Sequence, residues 1–151
     1  MEVPRFLADV HLGKLARSLR LLGFDTAYQN NYSYTELLHL AVEDHRVLLS
    51  RNAAFAKTVA SFFQVEGEDP MNQLHQVVDH FQLKESIHPF SRCLACNGKI
   101  ELVKKEEIDN RLEPDTRKFY EKFWRCESCG KIYWKGSHYE RMVEKFMVYG
   151  L

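Results

Sequence analysis

Two C-x-x-C pairs, Cys93-Leu94-Ala95-Cys96 and Cys126-Glu127-Ser128-Cys129, hold all four cysteines of this 151-residue chain. Each pair can fold as a tight knuckle that offers two thiolates to one centre. Two knuckles make a tetrahedral Cys₄ site, the set that suits a structural Zn²⁺. Asn97-Gly98 and Gly130 follow the second cysteine of each pair. There a knuckle turn needs a residue that tolerates positive φ. The spacer of 29 residues between the pairs is long for such a site, so an insertion between the knuckles is expected. The alternatives are two disulfides or four unrelated thiols, and paired C-x-x-C spacing favours the metal.

Composition is that of an ordinary globular chain, with 45% hydrophobic and 28% charged residues. No apolar run is long enough to span a membrane, and no charged and apolar leader opens the sequence. With metal-type cysteine spacing, these features lead us to expect a cytoplasmic protein in a reducing compartment. The formal net charge of zero hides an asymmetry. Residues 1–88 carry 8 Lys/Arg against 11 Asp/Glu, and residues 89–151 carry 13 against 10. An acidic first part and a basic second part fit an active site joined to a nucleic-acid grip, though chance gives such a split often.

The first part alternates short apolar strands with helical periodicity. Arg5-Phe6-Leu7-Ala8 reads as a buried strand ending at Asp9. Leu12, Leu15, Ala16, Leu19 and Leu22 then repeat at helical spacing, and Gly23 supplies the stop. Strands at 26–28, 47–49 and 61–65 alternate with helices at 33–45, near Phe55 and Val59, and from Asp69-Pro70 to Phe81. Ser33-Tyr34-Thr35-Glu36 has capping-box form. The pattern predicts a parallel sheet with helices on both faces. Its ligand site should lie beyond the carboxyl ends of the strands. A linker at 84–92 leads to ribbon strands at 99–103, 123–125 and 131–134. An inserted helix is expected at 114–122, and a C-terminal helix opened by a second capping box at Ser137-His138-Tyr139-Glu140. We expect two domains, 1–88 α/β and 89–151 zinc ribbon with C-terminal helix.

Asp9 is the leading catalytic candidate, because a carboxylate at that edge can hold a hard cation such as Mg²⁺ or Mn²⁺. Helix capping explains it equally well. Glu36 is a second acid, although its capping role accounts for it, and Asn52 can coordinate through its carbonyl oxygen. Lys14, Arg17 and Arg20, three apart on one helix, and Arg51 can bind RNA phosphates, and a solvated helix face also explains the first three. In the ribbon, Trp134, Lys135 and His138, with Trp124, Lys131 and Tyr133, interleave rings with cations as base-stacking surfaces do. Ribbon packing accounts for some of these rings as well.

Several stretches together resemble one family. They are Asp9 with Leu12-Gly13-Lys14-Leu15-Ala16-Arg17, Leu19 to Asp25, and Arg46 to Arg51. Gln73-Leu74, Ser91-Arg92-Cys93 with Cys96-Asn97-Gly98, and Phe123 to Cys126 with Cys129 and Lys131 to His138 complete the set. The chain resembles the PIN-like ribonuclease domain with a fused zinc ribbon found at the C-terminus of mutator-type exonucleases. The resemblance implies a PIN-like α/β fold, RNA as partner, and metal-dependent RNA cleavage with Asp9 as first catalytic acid. The chain departs from the family in two places. Asn52 stands where the family usually has Asp, and Tyr34 where it usually has an acid, with Glu36 nearby as a substitute. The other reading is an RNA-binding or interaction module that keeps the fold without turnover.

Overall fold

The computed structural model describes residues 2–148 and 150–151. Four parallel strands form the first sheet: β1 (Phe6–Ala8), β2 (Thr26–Ala27), β3 (Val47–Ser50) and β4 (Phe62–Gln64). Their order is β2-β1-β3-β4. Helix α1 (Gly13–Leu21) carries the chain from β1 to β2, and α2 (Tyr34–Glu43) carries it back past β1 to β3. The direction of winding therefore reverses between β1 and β3. In a sheet of this kind the crevice opens at that point, beyond the strands' carboxyl ends. A single 3₁₀ turn, Ala53–Lys57, joins β3 to β4 where a helix was expected. Asn52 caps it by accepting from Ala54 N at 3.0 Å, and Thr58 ends it with its N–H bonded to Phe55 O.

Strand alternation divides the core. Phe6, Ala8 and Leu49 face α1 and α3 (Pro70–His80), where Leu15, Leu19, Leu74 and Val77 are fully buried. Leu7 and Leu48 face the other side, against Leu37 and Ala41 of α2 and Phe55 of the 3₁₀ turn. The parallel register sets Leu7 beside Leu48 and Ala8 beside Leu49, so both layers run unbroken across the central strands.

The second sheet is antiparallel: β5 (Ile100–Val103), β6 (Phe123–Cys126) and β7 (Ile132–Tyr133), in that order. The insertion between the knuckles holds α4 (Lys105–Ile108), a 3₁₀ turn at Asp109–Arg111 and α5 (Pro114–Phe119). Of these, only α5 was expected. Ile108 and Leu112 from the insertion bury against Val103 and Phe123, giving the ribbon a small core of its own. Helix α6 (Ser137–Val148) follows the ribbon. Gly136 O accepts the first helical bond, from Glu140 N, so Ser137 is the first helical residue rather than the cap. Phe146 of α6 is buried in the same apolar layer as α1 and α3.

Candidate functional site

The four cysteine sulfurs lie within 4.8 Å of one another. Across the two knuckles, Cys93 Sγ and Cys129 Sγ are 3.7 Å apart, and Cys96 Sγ and Cys126 Sγ 3.5 Å. Zinc–thiolate bonds of about 2.3 Å set at tetrahedral angles require sulfurs about 3.8 Å apart. All four cysteines are free thiols, which removes the disulfide alternative. Backbone N–H groups of Gly98 and Ser128 point at Cys96 Sγ and Cys126 Sγ, both at 3.4 Å, as knuckles that stabilise thiolates do. Asn97 (φ +70°) and Gly130 (φ +79°) take the left-handed turns. Cys93 and Cys96 differ in acidity. Burial pushes Cys96 up to about 12. Burial also raises Cys93, but the Tyr133 hydroxyl and backbone amides outweigh it and bring that thiol down to about 7. A divalent ion removes this competition by taking all four as thiolates. The set is positioned to bind one metal ion and fits zinc, with no ligand position left for water.

The first knuckle is keyed into the parallel sheet. Asn97 Oδ1 accepts from Thr26 N at 2.9 Å, and Asn97 Nδ2 donates to Asp25 Oδ1 at 2.6 Å. The ribbon thus satisfies an outward-facing amide of β2, the edge strand. Asp25 also accepts from Arg46 NH1 at 2.8 Å, with Arg5 and Arg92 each at 3.6 Å. Burial alone would raise the Asp25 carboxyl, but the bonds from Arg46 and Asn97 hold it below the usual carboxylate range.

Arg20 corrects the expectation of a solvated cationic helix face. It is only 4% exposed. Its Nε donates to Thr26 O and its NH1 to Leu94 O, both at 2.9 Å, so it ties α1 and β2 to the knuckle. Burial pulls its pKa down, and the charge of the nearby Cys93 and Cys96 opposes that pull. The residue three after Arg17 has turned inward because the apolar arc of α1 extends through Leu19 and Leu21.

At the carboxyl edge of the sheet, Asp9, His11, Leu12, Arg51 and Asn52 line a cleft of about 470 Å³. Asp9 Oδ1 accepts from Val10 N and Oδ2 from Ser50 Oγ, both at 2.7 Å. Ser50 is fully buried and also accepts from Asn52 N at 3.0 Å, so one hydroxyl links the ends of β1 and β3. Glu36 does not join this cleft. Its backbone N–H donates to Ser33 Oγ and its carboxylate accepts from Ser33 N, which completes the capping box of α2. Tyr34 stacks on Phe55 with centroids 5.5 Å apart. Among the described residues, the cysteines are the one cluster of three or more metal-ligating side chains. The Asp9 cleft therefore offers one carboxylate with a neutral oxygen from Asn52, a set that a hard cation fills only with help from water and substrate phosphate.

Lys14 lies where the Asp9 region meets a larger cleft. It lines a recess with His11, Arg51, Glu68 and Gln73, and also a cleft of about 750 Å³ with Arg17, Arg20 and Lys131. Arg17 and Lys131 continue into a groove with Tyr133, Trp134 and His138. Trp134 is half-buried, its ring 6.1 Å from Phe123, so its other face packs the ribbon core. Lys135 sits over Phe90, Trp124 and Tyr139 at 5.6–5.8 Å. Sequence reasoning missed His11, Ser50 and Asp25. The position of His11, two residues beyond a strand-ending acid, was the available signal.

A parallel α/β sheet with an acid at its switch point, carrying a four-cysteine ribbon keyed to its edge, defines the class of protein. A family model described as the Mut7-C RNAse domain matches residues 4–146, nearly the whole length, and the chain belongs to that family. No curated protein and no solved structure matches significantly. No helix among the described residues is long and apolar enough to cross a membrane.

Proposed function

We propose that this chain is a metal-dependent ribonuclease of the PIN-like class, which hydrolyses RNA in the Asp9 cleft while the zinc ribbon helps to hold the strand. The carrying observation is Lys14, which lines both the recess beside that cleft and the cation-lined cleft that ends at the ribbon. An RNA strand laid from Asp9 toward Lys131 meets cations along its backbone, the main source of nucleic-acid affinity. In this reading residues 1–88 carry the chemistry and residues 89–151 complete the binding surface.

Asp9 would hold a Mg²⁺ or Mn²⁺ ion, with Asn52 as a neutral donor. A bound ion of this kind neutralises phosphodiester charge and activates water. Ser50 and Val10 N hold the Asp9 carboxylate in place, so its orientation is set before any ligand arrives. Arg51, half-exposed at the rim, is within reach of a phosphate oxygen and is only loosely engaged by Glu68 at 3.9 Å.

A single carboxylate in the cleft favours a second reading, a module that binds RNA without cutting it. The deciding experiment is a cleavage time course on mixed RNA with Mg²⁺ or Mn²⁺. The ribonuclease reading expects metal-dependent products, and loss of at least about a hundredfold in rate for Asp9→Asn, because the ion's anchor supplies several kcal/mol. RNA binding without metal-dependent products selects the module.

A further inference from the structure

We propose that the cleft between α1 and the first knuckle, together with the aromatic groove beside it, is a nucleotide-binding subsite outside the Asp9 cleft. It takes one phosphate with its attached base. The choice of RNA as the source of that nucleotide rests on the ribonuclease reading; the site itself rests on the features below.

The cleft of about 750 Å³ is lined by four cations and no carboxylate. Arg20 is occupied by Thr26 O and Leu94 O, which leaves Lys14, Arg17 and Lys131, all exposed, to meet a ligand. They come from two separate parts of the chain, two from α1 and one from the segment just after the second knuckle. Asn30 and Asn31 on the loop after β2 add neutral amides suited to ribose or phosphate oxygens. Three exposed cations lining one cleft, with no acid among its lining residues, match a phosphate.

The adjoining groove differs in character. At about 290 Å³ it is at the low end of small-molecule sites and has room for one ring system. Its walls include Phe90, Tyr139 and Met142, all half-buried. Phe90 and Tyr139 pack edge to face with centroids 4.7 Å apart, so their positions are fixed by each other. A base has a π-face whatever its identity, and stacking on such rings is tolerant of sequence. Arg17, Leu94 and Lys131 line both cavities. A phosphate held by Arg17 and Lys131 therefore has its own base within reach of the groove. Neither the α/β part nor the ribbon contains both halves of the site.

The test is fluorescence anisotropy of a labelled ten-nucleotide oligoadenylate, on the zinc-loaded full chain carrying Asp9→Asn, across a salt series. Arg17→Gln and Lys131→Gln should each weaken binding about five- to twentyfold and lower the log–log salt slope by about 0.7, one phosphate contact on a single strand. Tyr139→Ala should weaken binding by about fivefold or more without changing the slope. Retained zinc content and melting temperature show that each variant is folded. AMP that competes in the oligonucleotide's own concentration range assigns the site to free nucleotides, and absence of competition assigns it to the strand. Wild-type affinity and slope in both Arg17→Gln and Lys131→Gln would overturn the subsite, even if the protein cleaves RNA. The expected losses in a protein that never cleaves RNA would uphold the subsite and remove the ribonuclease reading. A deoxyadenylate decamer bound more tightly than the RNA would overturn the choice of RNA.

Discussion

In the ribonuclease reading, Asn52 is the residue on which activity turns. Asn and Asp are close in size, so Asn52→Asp changes charge with little change in packing. Its Oδ1 can still cap the turn by accepting from Ala54 N. If the cleft is a weakened carboxylate site, the added anion tightens Mn²⁺ or Mg²⁺ binding by about tenfold and speeds cleavage. Calorimetric metal affinity beside a cleavage time course measures both. A fall in RNA affinity with no gain in either points to the binding module. Asp25 gives a second prediction at this scale. Its carboxyl lies below its unfolded value, so it contributes stability above about pH 4, and that stability is lost as pH falls below about 4 toward the folded value. Melting temperature between pH 6 and 3 should fall steeply at the acid end, and Asp25→Asn should flatten the fall. The same substitution should cost about 1–3 kcal/mol at pH 7, since Oδ1 can still accept from Arg46 and Asn97 but the charge is lost and an amide N–H₂ replaces the oxygen that faces Arg5 and Arg92. At this scale the sequence hides most of the site. Nothing in Leu19–Asp25 or in Ser91–Gly98 announces that Asp25 and Asn97 meet, because the contact spans 72 residues.

Each of the first three long helices ends in the same way, and only the first ending is spelled by a glycine. Gly23 (φ +98°) follows α1, with Gly23 N bonded to Arg20 O and Phe24 N to Leu19 O, a Schellman ending. His45 (φ +53°) and Gln82 (φ +54°) hold the corresponding turns after α2 and α3. Replacing Gln82 with Gly should raise stability by about 0.5–1 kcal/mol, because a left-handed non-glycine costs about 1–2 kcal/mol and glycine returns part of it as chain entropy. Gly23→Ala should be far worse. A Cβ there would meet His88 O at 2.3 Å, a backbone atom that cannot step aside. We expect a loss of more than about 3 kcal/mol in urea unfolding, or failure to fold. Strands and long helices were legible from period and caps. The 3₁₀ turn after β3 and the helix α4 were not, because neither is long enough to show a period, and burial of Ile108 decides the second.

For the whole molecule, the ribbon is part of what holds the sheet. Removing zinc should do more than unfold residues 89–151. Asn97 and Leu94 would release Thr26, Asp25 and Arg20, leaving a buried guanidinium short of a partner. We therefore expect a strong chelator, or all four Cys→Ser changes, to lower the melting temperature of the entire chain in one transition by more than about 10 °C, with zinc released stoichiometrically. A parallel sheet that melts unchanged while the ribbon alone unfolds would contradict this. The paired C-x-x-C spacing made the metal site readable, since ligand chemistry fixes the spacing. It could not show that the knuckle and the sheet share bonds, which depends on side chains meeting across the fold.

The pairing of Thr26 with Asn97 also sets a clock. The two residues are 71 positions apart. At ribosomal rates of about 5–20 residues per second, β2 is synthesised roughly 4–14 seconds before the side chain that covers its edge exists. Once β3 and β4 have followed, and until Asn97 arrives, the nascent sheet presents an uncovered strand, and Phe146, buried in the same layer as α1 and α3, comes later still. This edge, open to pairing with a neighbouring nascent chain, is thus guarded by a part made long after it. Crowding on a polysome and the local supply of zinc then act on the same brief stage of the protein's life.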